Sequence, residues 1–235
     1  MTLLNITNMS AFYKKSRIIS DLNMVIGKSE AVALLGRNGS GKSTTIRSIV
    51  GIEPPRTDGD MIYKNSNINK SSPNKRHLMG ISWVPERRRV FPNLSVRNNL
   101  KLGKNKRDNS MDIDVVFKLF PKLEDRMNQK AGTMSGGEQQ MLSIGRALVC
   151  SPDLLLIDEP FEGLMPSLVS SVSENINQLS HSDVAILIAE QNIKNTLNIA
   201  DRVYILDKGE VVHEGSAEEI KQNRKLRREY LGVSK

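Results

Sequence analysis

The stretch Gly36-Arg37-Asn38-Gly39-Ser40-Gly41-Lys42-Ser43-Thr44 decides the fold of this chain. It follows an apolar run at residues 31–35 and precedes a segment with helical spacing at residues 45–50. Its glycines let the backbone turn tightly so that N–H groups converge, and the next helix adds the positive end of its dipole. In such a strand–loop–helix setting, Lys42 can reach the terminal phosphates of a nucleotide and Ser43 can bind Mg²⁺. We therefore predict that this phosphate loop, residues 36–44, binds a nucleoside triphosphate with Mg²⁺.

The size and composition of the chain favour one large α/β domain. The chain has 235 residues, of which 38% are hydrophobic and 4% aromatic. The longest apolar run, at residues 184–189, is far shorter than the ~18 residues of a membrane span, and polar residues near the N-terminus argue against a signal peptide. A single cysteine, Cys150, excludes an internal disulfide and fits a reducing cytoplasm. We interpret Cys150 as a structural residue at a helix end.

The net charge of +8 raises the question of an anionic partner. Basic residues concentrate at residues 87–89, 101–107 and 221–228. Nucleic acid and an anionic membrane face are both possible partners for such clusters, and plain solvated charge is a third interpretation. No aromatic residues are interleaved with the clusters to stack on bases, so we do not expect nucleic acid.

Alternation of apolar and helical segments predicts a mostly parallel sheet with helices on both faces. After residue 86 the spacing turns helical as far as about residue 148, which indicates an inserted helical subdomain. A turn at Lys208-Gly209 predicts a hairpin, and Ser216-x-x-Glu219 predicts a capping box that opens a helix. The predicted strands are residues 3–9, 22–26, 30–35, 60–63, 81–84, 154–157, 184–189 and 203–206, with a loop at 54–59 and helices near 167–179 and 193–200.

Two carboxylates follow the buried apolar strand at residues 154–157. An apolar parallel strand places Asp158 at its carboxyl end, beside the phosphate loop, where Asp158 can hold Mg²⁺ directly or through water. Glu159 then points to where the γ-phosphate would lie, and it can orient the attacking water and accept its proton. We predict Asp158 as a metal ligand and Glu159 as the catalytic base.

A second anion site is predicted at Ser135-Gly136-Gly137-Glu138-Gln139, which we call the signature segment. Ser135-x-x-Glu138 is a capping box, so a helix begins after Ser135. The two glycines expose N–H groups in the first turn without a side chain in the way. Taken alone, this segment could equally be an ordinary helix cap.

With the phosphate loop and Asp158-Glu159, the signature segment resembles that of the ATP-binding cassette (ABC) ATPases, and the similarity covers nearly the whole chain. The resemblance implies a P-loop NTPase fold with an added antiparallel β subdomain. It also implies a head-to-tail dimer in which Ser135, Gly136, Gly137 and Glu138 serve the partner's ATP. It further implies that Tyr13 stacks on adenine, although an early aromatic residue could also belong to the core.

Within that family the chain is similar to the ATPases of branched-chain amino acid importers. Glu86 and Gln191 stand where most cassettes carry Gln and His, and this subgroup often shares both replacements. The resemblance implies that both residues monitor the γ-phosphate, with Glu86 also offering an oxygen to Mg²⁺; Gln191 cannot become cationic, which weakens charge stabilisation. The matching segments are residues 84–87, 90–96, 131–148, 163–166 and 189–192.

The resemblance implies one ABC ATPase domain over residues 1–235, with a nucleotide-binding core at 1–85 and 149–235 and a helical subdomain at 86–148. It implies two membrane permease subunits, reached through a docking cleft near Phe91, although Phe91 could also pack in the core. It also implies a periplasmic or extracellular substrate-binding protein that acts indirectly, and a peripheral place for the chain on the cytoplasmic face of the membrane. The second ATPase subunit could be identical or different. Two alternatives stay open: a urea or short-chain amide importer, and a regulatory cassette with little hydrolysis.

Overall fold

The structure, a computed structural model, describes residues 1–104 and 112–232. Part of the predicted helical subdomain and of the basic cluster at 101–107 therefore lies outside the described residues. The strands are β1 Thr2–Tyr13, β2 Ser16–Gly27, β3 Ala31–Leu35, β4 Arg56–Tyr63, β5 Ser66–Asn67, β6 Ile81–Val84, β7 Leu154–Asp158, β8 Ala185–Glu190, β9 Arg202–Asp207 and β10 Glu210–Ser216. The helices are α1 Lys42–Val50, α2 Pro73–Met79, α3 Val96–Lys101, α4 Ile113–Leu119, α5 Pro121–Glu124, α6 Gly136–Leu148, α7 Pro166–Ser180, α8 Ile193–Thr196, α9 Ala217–Gln222 and α10 Arg224–Leu231, with a 3₁₀ turn at Ala131–Thr133.

A six-stranded sheet in the order β10-β9-β3-β8-β7-β6 forms the centre of the molecule. All its neighbouring pairs are parallel except β9 with β10, which form the predicted hairpin. The strands β3, β7 and β8 are buried along their whole length, because helices cover both faces of a parallel sheet. Leu35 pairs with Glu190, and Asp158 pairs with Ala189. The carboxyl ends of the three central strands therefore meet at one edge.

A second sheet, β2-β1-β4-β5, is antiparallel. Its strands are longer than predicted, since β1 and β2 have 12 residues each. β4 begins at Arg56, inside the predicted loop at 54–59, because β1 offers it a partner over residues that have no apolar pattern of their own. The α/β class, the mostly parallel sheet and the antiparallel sheet are confirmed.

Several helices differ from the sequence expectation. The sequence reading missed α2, which begins after the cap Ser72, has Pro73 in its first turn and is followed by Gly80 in the left-handed conformation. The helix predicted at 193–200 is regular only over α8. The capping box at Ser216 is half formed: its hydroxyl accepts from the Glu219 N–H, but the Glu219 carboxylate lies 3.2 Å from His213 Nε2.

Three apolar clusters hold the layers together. The first cluster joins the antiparallel sheet and α1 to the central strands. The second joins the helices between β6 and β7 to the opposite face of the central sheet. The third lies under α8, α9 and α10. Cys150 is buried after α6, with its Sγ 2.8 Å from the Ser82 hydroxyl, as a structural residue would be. Among residues 1–104 and 112–232, no helix combines the length and the apolar character that a membrane span needs.

Candidate functional site

The phosphate loop connects the end of β3 to the start of α1 at the carboxyl edge of the sheet. Gly41 has φ 111°, a left-handed conformation that glycine adopts without strain, and it precedes the first residue of the helix. Gly36 lies against the Leu206 carbonyl, which a Cβ atom there would strike. The backbone thus requires glycine at both ends of the turn. Ser40, between them, is buried, and its hydroxyl has no hydrogen-bond partner among the described residues.

Lys42 lies inside the loop, and its side chain is only 3% exposed. Its Nζ is 3.0 Å from Oε1 of Glu159 and donates to the carbonyls of Gly36, at 3.1 Å, and Arg37, at 3.3 Å. A buried ammonium group needs such acceptors, because an unpaired buried charge is strongly unfavourable. The structure therefore brings the loop, Lys42 and Glu159 together, with Glu159 paired to the lysine.

Asp158 lies next to the start of α1 and is buried. The Ser43 hydroxyl donates to its Oδ1 at 3.1 Å. Burial raises the pKa of Asp158 to about 6; the Ser43 bond acts against this shift, while the carboxylates of Glu159 and Glu86 add to it. A carboxylate and a hydroxyl crowded by other negative charge form a site that a cation would stabilise.

Glu162, which sequence reasoning did not single out as a site residue, joins this acidic group. Burial raises its pKa, and the neighbouring carboxylates of Glu159 and Glu86 raise it further. The chain turns sharply here, since Glu159 has φ 44° and the Glu162 N–H donates to the Glu159 carbonyl at 3.2 Å. Glu86, exposed after β6, interacts with the same group of carboxylates, while its contact with the γ-phosphate stays a prediction.

Gln191 is exposed directly after β8 and lines a cavity of about 510 Å³. Asn38 and Glu159 line the same cavity, so the phosphate loop, the predicted base and Gln191 face one space. Leu231 and Gly232, at the end of α10, close another side of it. This contribution has no signal in the sequence, because α10 approaches the site only through the tertiary fold.

Tyr13 ends β1 and pairs with Ser16 across the hairpin to β2. It is half-buried. A Cβ atom on Gly41 would meet the Ile19 side chain of β2, which places this hairpin beside the phosphate loop. Tyr13 is therefore carried on an element adjacent to the predicted nucleotide site, while its contact with adenine stays a prediction.

The signature segment begins α6 with a complete capping box. The Ser135 hydroxyl accepts from the Glu138 N–H, and the Glu138 carboxylate accepts from the Ser135 N–H at 2.9 Å. Burial acts to raise the pKa of Glu138, but the Ser135 bonds and the charge of Arg126, 2.8 Å away, hold it below its usual value. None of these partners belongs to the phosphate loop. Gly136 instead lies beside the Arg88 guanidinium.

Comparison with known proteins identifies the family. A family model described as ABC transporter matches residues 19–162. The high-affinity branched-chain amino acid transport ATP-binding protein BraG of Pseudomonas aeruginosa is 40% identical over 98% of this chain and 100% of its own length. The lipopolysaccharide export system ATP-binding protein LptB of Escherichia coli K12 is 33% identical over 99% of this chain and 98% of its own.

A solved structure has the same fold. It is a nucleotide-free ATP-binding cassette from an ABC transporter, with a TM-score of 0.82, 26% identity and 94% of each chain covered. The resemblance noted in the sequence is confirmed. The chain belongs to the ABC transporter family, binds nucleotide and is an ATPase.

Proposed function

We propose that this chain is the ATP-binding and ATP-hydrolysing subunit of an ABC importer, and that its cargo is a branched-chain amino acid. The observation that carries the catalytic part is the arrangement of Lys42, Glu159, Asp158 and Ser43 at one edge of the sheet. The cargo rests on the similarity to BraG, whose name describes branched-chain amino acid transport. The similarity to LptB gives a specific alternative, a cassette that serves a different cargo.

The residues at the site fit MgATP. No cluster of three or more metal-binding side chains was found among residues 1–104 and 112–232, and Mg²⁺ bound to a nucleotide commonly uses one or two protein ligands together with phosphates and water. Ser43, Asp158 and Glu86 would hold the ion, which when bound neutralises charge on the phosphates. The Ser40 hydroxyl, which has no hydrogen-bond partner among the described residues, would donate to a phosphate oxygen, as would N–H groups of the phosphate loop.

The chain's own groups then divide the work of hydrolysis. Lys42, now paired with Glu159, binds the terminal phosphates, and this releases the Glu159 carboxylate to orient a water and accept its proton. Gln191 donates a hydrogen bond to the γ-phosphate, and Glu86 contacts the same region. A neutral Gln191 stabilises the developing negative charge less than a cationic side chain would.

The partners follow from the family and from exposed features of the chain. In this proposal a second cassette, identical or different, docks head to tail, so that each signature segment covers the other subunit's ATP. Two permease subunits bind near Phe91, which is 50% exposed, and a substrate-binding protein delivers cargo on the far side of the membrane. The chain would then be a peripheral protein on the cytoplasmic face. The nucleotide-binding core would comprise residues 1–85 and 149–235. The helical subdomain would comprise residues 86–148.

The variant Glu159→Gln tests the proposed chemistry. It removes the base but keeps an oxygen that can accept from Lys42, so ATP binding should persist while turnover falls by about 10²–10⁴-fold. Turnover is measured by phosphate release and binding by calorimetry with MgATP. Glu174→Gln, an exposed change on α7, is the control for loss of one negative charge. Unaltered turnover in Glu159→Gln would remove Glu159 from the role of base.

The neutral Gln191 favours one second candidate, a regulatory cassette that binds nucleotide but hydrolyses little. The reconstituted transporter separates the two functions when Glu159→Gln is placed in this subunit alone. A large loss of turnover supports the hydrolysing subunit. Full turnover assigns hydrolysis to the other cassette.

A further inference from the structure

Glu190 is a buried carboxylate that the mechanism above does not use. It ends β8 between β3 and β7 and is 3% exposed. No arginine, lysine or histidine is among its hydrogen-bond partners in the described chain, all of which are backbone N–H groups. A buried charge without a cation is unfavourable, so its position calls for an explanation.

The side chain of Glu190 joins two loops of the site. Its Oε1 accepts from the Phe161 N–H at 3.0 Å, two residues after the predicted base Glu159. Its Oε2 accepts from the N–H groups of Gln191 at 3.0 Å and Asn192 at 3.1 Å. One carboxylate thus fixes the backbone of the loop after β7 and the backbone of the loop after β8.

The main chain of Glu190 contacts the third loop. Its carbonyl accepts from the Gly36 N–H, the first residue of the phosphate loop, at 3.3 Å. The neighbouring Ala189 carbonyl accepts from the Glu159 N–H at 2.9 Å. Residues 189–190 therefore touch the phosphate loop, the loop that carries Glu159 and the loop that carries Gln191.

We propose that Glu190 is a positioning residue for ATP hydrolysis, holding Glu159 and Gln191 at a fixed separation by bridging the loops that carry them. The inference rests on the proposed roles of Glu159 and Gln191. Glu159 has a left-handed backbone, φ 44°, which the surrounding structure must stabilise, and the bond from Phe161 to Glu190 lies directly after that turn. Displacement of a reacting group by about 1 Å can lower a rate by about 10²-fold.

Neither glutamine nor aspartate reproduces this bridge. Glutamine has the same shape, but its amide nitrogen would face a backbone N–H, so one loop loses its acceptor. Aspartate keeps the charge but lacks a methylene group and cannot reach both loops. Glu190→Gln and Glu190→Asp should therefore share one defect although they differ in charge: kcat falls by about 10–100-fold while the dissociation constant for MgATP changes by less than about twofold.

The decisive experiment is a double-mutant cycle between Glu190→Gln and Gln191→Ala, with kcat measured at saturating MgATP. If Glu190 acts through the Gln191 loop, the two changes are coupled, and Glu190→Gln lowers kcat much less in the Gln191→Ala background than in the wild type. If Glu190→Gln lowers kcat by the same factor in both backgrounds, Glu190 does not act through Gln191, and the proposed coupling of the two loops is overturned. Asp201→Asn is the matched control, because Asp201 also accepts a backbone N–H, from Ala31 at the opposite end of the sheet, and its kcat should equal that of the wild type.

A second variant and a measurement of amide hydrogen exchange test the proposal in other ways. If Glu190→Gln does not fold, Glu190→Asp takes its place in the cycle, and a wild-type kcat in either variant overturns the proposal. In the nucleotide-free wild type, the amide hydrogens of Phe161, Gln191 and Asn192 should exchange slowly, and fast exchange of these amides also overturns it. A wild-type protein without ATPase activity would instead contradict the proposed function, so the two failures are distinguishable.

Discussion

Replacing Asp158 by asparagine should change how the stability of the nucleotide-free protein depends on pH. Burial, assisted by the carboxylates of Glu159 and Glu86, raises the pKa of Asp158 from an ordinary value of 3.8 to about 6. A carboxyl group with a raised pKa favours the folded state when protonated. That contribution is complete below the unfolded pKa and is lost as the pH rises through the folded pKa. Asparagine cannot ionise, yet its side-chain oxygen can still accept from Ser43.

The size of the effect follows from the two pKa values. A difference of about two pKa units corresponds to a total change of about 3 kcal/mol in the free energy of unfolding. Between about pH 5 and about pH 8 the wild type should lose about 1.4 kcal/mol of unfolding free energy that Asp158→Asn does not lose, and the rest of the total change falls below about pH 5. The variant should therefore gain stability relative to the wild type as the pH rises.

Urea denaturation in the presence of a chelator measures this difference. Trp83 is the single tryptophan of the chain and reports unfolding by its fluorescence. The quantity compared is the unfolding free energy of Asp158→Asn minus that of the wild type, at the two pH values, with Asp201→Asn as the charge control. A difference that is the same at both pH values would refute the assignment of a raised pKa to Asp158.

Two further predictions concern the phosphate loop and the fold. Lys42→Ala removes the ammonium group that we expect to bind the terminal phosphates, so calorimetry should show MgATP binding about 10–100-fold more weakly; unchanged affinity would mean that Lys42 does not contact phosphate. Gly209→Ala places a Cβ against the Ile18 carbonyl at a residue with φ 86°. It should lower the unfolding free energy by about 1–3 kcal/mol, and a melting temperature equal to that of the wild type would contradict this.

Much of the phosphate site could be predicted from the sequence because its parts are local. The loop with Lys42 and Ser43 is one continuous segment, and Asp158 directly follows an apolar run of strand length. Continuous apolar runs identified the buried parallel strands for the same reason. The start of β4 in the antiparallel sheet could not be predicted, because it lies in a polar stretch that becomes a strand only by pairing with β1.

The role of Glu190 shows where local reasoning stops. A carboxylate at the end of an apolar strand was the signal that identified Asp158, and Glu190 carries the same signal at the end of β8. Nothing in the sequence distinguishes a carboxylate that faces a metal from one that binds backbone N–H groups of two loops. That difference depends on the path of the chain after Glu159, where the backbone takes a left-handed turn.

The sequence by itself determined the phosphate loop, the two carboxylates after β7, the capped start of α6 and the alternation that requires a parallel sheet. These features depend on glycine conformation, helix capping and apolar periodicity, which act over a few residues. Only the tertiary structure decided that Glu159 pairs with Lys42, that Glu162 joins the acidic group and that α10 lines the cavity beside Gln191. The reason is that parallel strands bring their carboxyl ends together from distant parts of the chain, and the loops that leave them have no periodic pattern to reveal their direction.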